Sequence, residues 1–84
     1  MKQAHDLLRR NLRIYAQPAR ERLALTQAAV SKLTALPLQE LIAIECGDDV
    51  NLKLDEMINL ANFLGLTAVG EPKHQIKGSK KVIF

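Results

Sequence analysis

Through the middle of this chain the apolar residues recur at helical spacing, and each run closes on a residue suited to stop a helix. Thr26 can cap a helix through its hydroxyl, which leaves Gln27 at the first helical position. Val30 and Leu33 follow at helical intervals, Leu36 falls in a turn, and Pro37 supplies a preset φ for a new helix start. Leu41 and Ile44 mark the inner side of that second helix, and Gly47 stands where a left-handed stop belongs. Leu54, Met57, Leu60, Ala61 and Leu64 then form one stripe, with Gly65 as its stop. The predicted core therefore joins Val30, Leu33, Leu36, Leu41, Ile44, Leu54, Met57, Leu60, Ala61 and Leu64 around a single centre.

Upstream, Lys2–Tyr15 reads as a further amphipathic helix. Ala4, Leu8, Leu12 and Tyr15 lie near one side, Leu7 and Ile14 widen the stripe, and Arg9, Arg10 and Arg13 project elsewhere. Pro18 lacks a backbone donor and biases Gln17 away from helical geometry, which predicts a kink or break near Gln17 and a short helix from Pro18 to about Ala24. After Leu66 the periodicity ends. Gly70, Pro72, Gly78 and charges of mixed sign predict an extended arm over 67–84, closed by the apolar, β-prone Val82-Ile83-Phe84. The expectation is an all-α protein of about five short helices, with a helical domain over 1–66 and a basic C-terminal arm over 67–84.

The ordered combination of Leu25-Thr26-Gln27, Ile44-Glu45-x-Gly47 and the later Leu54, Met57, Leu60-Ala61 and Leu64-Gly65-Leu66 resembles the lambda-repressor-like helix-turn-helix domain of the Cro and Xre regulators and antitoxins. The resemblance covers roughly the central half of the chain. It departs from the family in a loop, Asp48–Lys53, about one residue longer than the common form, and in Pro18, where the family's first helix normally runs unbroken. It implies that the helix begun at Pro37 enters the major groove of DNA. Leu38, Gln39, Ile42 and Ala43 are then the outward side chains. Gln39 could pair with adenine, and Leu38 or Ala43 could pack on thymine methyls. Gln27 matches a position that often touches DNA, and is equally a plain surface residue at a helix N-terminus. Arg20 matches a first-helix arginine of the family and, with Arg22, is a candidate phosphate contact.

Charge changes this picture in one respect. Although the net charge is only +3, residues 1–32 carry +5, residues 33–72 carry −6 and residues 73–84 carry +4. Basic ends around an acidic middle can place cations beside phosphates, can be solvated faces, or can meet the acidic middle of a neighbouring subunit. The second motif helix itself holds no Lys or Arg, so the frequent arginine–guanine contact cannot be made from it.

Other chemistry is sparse. The aliphatic-rich, aromatic-poor composition suits helices, and no apolar run approaches the ~20 residues of a membrane span. Cys46 is the sole cysteine, which excludes an intrachain disulfide and suits a reducing cytoplasm. His5 and His74 form no metal-ligand pair with it, and Asp48-Asp49 lacks the ligand pattern of a calcium loop. No phosphate-binding or dinucleotide fingerprint is present. The expectation is a protein without catalytic residues, metal or cofactor. It is read as a homodimeric DNA-binding transcriptional regulator, a phage-type repressor or an autoregulating antitoxin, whose partners are operator duplex DNA and, for an antitoxin, a toxin. Dimer pairing is expected through one or both of two surfaces, the C-terminal Val82–Phe84 as the first choice and the N-terminal helix as the other. The alternative is a helix-turn-helix scaffold used to bind protein, with Leu38 and Ile42 as an apolar strip.

Overall fold

The computed structural model describes residues 2–72, and among these the chain forms four helices with no strand beyond one isolated bridge. They are α1 (Lys2–Arg22), α2 (Gln27–Thr34), α3 (Leu38–Cys46) and α4 (Leu54–Phe63). Helix α1 packs against α3 and α4, and α2 packs against the same two. The shared core holds Leu8, Leu12, Val30, Leu41, Ile44, Met57, Leu60 and Leu64. The fold is all-α.

The predicted break at Gln17–Pro18 is absent: α1 continues through Pro18 for 21 residues. Packing explains why. Leu8, Leu12, Ala16 and Ala19 form one buried stripe that crosses the proline, so breaking the helix there would strip Ala19 from the core. Ile14, whose carbonyl Pro18 leaves without an N–H partner, is 53% exposed, so water can take that bond. The proline still costs helix energy. Pro18→Ala is therefore expected to stabilise the fold by about 1–2 kcal/mol, the interior helix cost less the entropy that proline removes from the unfolded chain. Urea unfolding followed by circular dichroism checks this, and a destabilised variant would contradict a continuous α1.

The helix ends follow their local chemistry. Thr26 is the N-cap of α2, its Oγ1 accepting from the Ala29 amide at 3.0 Å. That cap contributes about 1 kcal/mol. Pro37 is the N-cap of α3 and not its first helical residue, with Leu38 following in the helix. Gly47 ends α3 at φ 81°, and the Asp48 amide bonds back to the Ala43 carbonyl at 2.9 Å. At the start of α4, Glu56 accepts from the Lys53 amide at 2.8 Å. Alanines occupy two left-handed positions, Ala24 and Ala35, each at the end of a helix.

Past α4 the chain folds back on itself. Residues 67–72 form a turn held by bonds from the Thr67 amide to the Glu71 carbonyl and from the Gly70 amide to the Thr67 carbonyl, and Leu66 bridges to Pro72. Gly70 is buried at φ 87°, where a Cβ would come 2.9 Å from that of Asn11. Asn11, buried on α1, donates to the Val69 carbonyl at 2.8 Å and so fastens this turn to the helix. The remainder of the expected arm, with its lysines and Val82–Phe84, lies outside the described residues.

Candidate nucleic-acid interface

Helices α2 and α3 are joined by Ala35, Leu36 and Pro37. Ala35 turns left-handed at φ 62°, Leu36 drops into the core, and the Ser31 hydroxyl donates to the Leu36 carbonyl at 2.6 Å. This fixes the exit of α2 relative to the entry of α3. On α3, Leu41 and Ile44 face inward. At 100° per residue the opposite side carries two rows, Leu38–Ile42–Cys46 and Gln39–Ala43. Leu38 is 40% exposed and Ile42 38%; Gln39 and Cys46 are exposed, and Ala43 is half-buried. All four outward candidates on this helix therefore share one uncharged face.

The remaining candidates divide. Arg20 is turned into the protein. Its Nε and Nη2 donate to the two Glu45 carboxylate oxygens at 2.7 and 2.9 Å, and Nη1 donates to the Leu25 carbonyl at 2.8 Å. The pair is only 14% and 10% exposed in its side chains. Hydrogen bonding to Glu45 raises the Arg20 pKa above its ordinary value, against the lowering effect of burial. Gln27 joins the same carboxylate, its Nε2 donating to Glu45 Oε1 at 2.9 Å. Arg20, Gln27 and Glu45 thus form one network that locks α1, α2 and α3 together. Arg22 stays exposed in the last turn of α1 and has no part in it.

Glu45, the acceptor at the centre of this network, is the residue that sequence reasoning did not single out. It follows the core residue Ile44 and lies 25 positions from Arg20, a distance across which no local spacing rule operates. Glu40 has a comparable structural task, accepting the Asn51 amide at 2.7 Å and so pinning the loop between α3 and α4. Among the described residues no cluster of His, Cys, Asp and Glu is placed to hold a metal ion, and no helix is long and apolar enough to cross a membrane.

Comparison with protein-family models, with curated proteins and with solved structures finds no match to this chain.

Proposed function

We propose that this protein is a small sequence-specific DNA-binding regulator that uses α2 and α3 as a helix-turn-helix and binds operator DNA as a homodimer. The observation that supports this reading is the orientation of α3, which is braced on its inner side by the Arg20–Glu45–Gln27 network and presents Leu38, Gln39, Ile42 and Ala43 outward. A reading helix must sit at a fixed angle to its supports, because its side chains must reach base edges to within tenths of an ångström. Gln39 supplies a bidentate donor–acceptor pair for adenine, and the flanking apolar side chains suit thymine methyls. Arg22 and Lys32, both exposed, contact phosphate together with the free amides at the N-terminus of α2. Arg20 acts as a positioning residue, since three of its donors are spent within the chain. A phage-type repressor and an autoregulating antitoxin both fit this reading.

The exposure of Leu38 and Ile42, on a helix without a single cation, favours a second reading: the same face docks a partner protein. A salt titration of binding to duplex DNA separates the two. The regulator reading expects affinity to fall steeply between low and physiological salt, and Arg22→Ala to flatten that slope. Gln39→Ala should leave the slope intact while relaxing preference at one base pair by about 1–3 kcal/mol. Binding that ignores ionic strength, or no binding at all, supports the protein-docking reading instead.

A further inference from the structure

A cleft of about 220 Å³ opens between the N-terminal half of α1 and the loop that follows α3. Arg9, Arg10 and Arg13 line its α1 wall, with Asp6 beside them, and Asp48 and Asp49 line the facing loop. The walls touch through apolar atoms: the Arg13 stem crosses Gly47 so closely that a Cβ there would lie 2.8 Å from Arg13 Cδ. Yet the ion pair found among the described residues is Arg20–Glu45, and none within 4 Å joins these two walls. Opposite charges therefore face one cleft without meeting. On the outward side of α1, next to the cleft's cationic wall and sharing Arg10 with it, Leu7, Arg10 and Ile14 follow at i, i+3 and i+7, forming a ridge with Ile14 more than half exposed and Leu7 partly so.

We propose that a second copy of this chain occupies this surface. The α1 ridge of each protomer lies along that of its partner, and Arg10 and Arg13 of each meet the Asp48-Asp49 loop of the other. A two-fold interface must be self-complementary, each patch contacting its own copy, and a surface with one cationic and one anionic wall meets that demand. The cleft has room for one long side chain such as an arginine and not for a helix, so the contact is ridge beside ridge. Exposed ion pairs add little affinity singly. The apolar Ile14 and Leu7 supply the attraction, and the charges set register and exclude other pairings. This rests on the homodimeric reading above and names the surface that forms the dimer.

Sedimentation of the full chain without DNA tests it. Wild-type protein should dimerise, and Arg10→Glu with Arg13→Glu should weaken self-association by about tenfold or more, as should Asp48→Lys with Asp49→Lys. Mixing the two variants should restore a dimer, because one now offers an acidic surface and the other a basic one. Ile14→Asp, a change at an exposed position, should give monomer while keeping the helical circular dichroism. Deleting residues 81–84 should leave the dimer intact. A monomeric wild type, either double variant as dimeric as wild type, or a mixture that stays monomeric would each overturn the proposal. Because no DNA is present, a failure of the DNA-binding reading leaves these outcomes unchanged.

Discussion

Leu12→Ala is expected to lower the unfolding free energy by about 3–5 kcal/mol, the upper range for truncating a fully buried leucine. Leu12 has no exposed surface and lies on the face of α1 that packs against α3 and α4. Its loss removes apolar burial and leaves a hole that helices tied to one another cannot easily close. A single domain of this size holds only about 5–15 kcal/mol in total, so the change should lower the thermal midpoint by roughly 15–30 °C. Leu33→Ala is the control. Leu33 is 63% exposed, and its truncation should stay within about 0.5 kcal/mol. Thermal unfolding of both variants, followed at a helical wavelength, gives the comparison. Equal losses would mean that α2 packs differently from the arrangement described.

That contrast shows what the sequence makes legible and what it does not. Val30, Leu41, Ile44, Met57, Leu60, Ala61 and Leu64 are buried as their helical spacing predicts, because periodicity fixes which side chains share a face. Leu33 was expected among them and is not, and Leu54 is only partly buried. In α2 the buried residue is Val30, and Leu33, one turn further on, is left uncovered by the neighbouring helices. How wide a stripe is covered depends on neighbouring helices, which spacing within one helix does not report. Leu52 and Leu66 are buried from outside the periodic segments, and Ala16 and Ala19 are buried where small size hides their role. The same limit applies to Pro18: its local preference is to end a helix, and the tertiary contacts of the stripe beneath it prevail. At the candidate interface, the outward set on α3 follows from the inward positions of Leu41 and Ile44 by simple rotation. The diversion of Arg20 and Gln27 to Glu45 does not, since it depends on three helices converging.

The convergence on Glu45 yields the second large effect. Glu45→Ala removes the acceptor for two Arg20 donors and for the Gln27 amide, and leaves Arg20 with only the Leu25 carbonyl among its partners in this network. The expected cost is about 2–4 kcal/mol, below the full penalty for a deeply buried orphan charge because water can reach the truncated site. Arg20→Ala should cost a similar amount. The double variant should cost less than the sum by about 1–3 kcal/mol, since each single change already breaks the same bonds. Arg20→Lys should not rescue, because an ammonium cannot span both carboxylate oxygens and the Leu25 carbonyl as the planar guanidinium does. The sign of the arginine's raised pKa is also clear. Its contribution is fully present below the ordinary arginine value and is lost only as pH rises through the still higher folded value, so on the arginine side stability stays flat across neutral pH. An apolar pair of similar volume, Arg20→Met with Glu45→Leu, should keep most of the stability while freeing the angle of α3. If α3 reads DNA, that variant should remain folded yet lose discrimination between operator and random duplex, whereas retained discrimination would show that the brace serves stability alone.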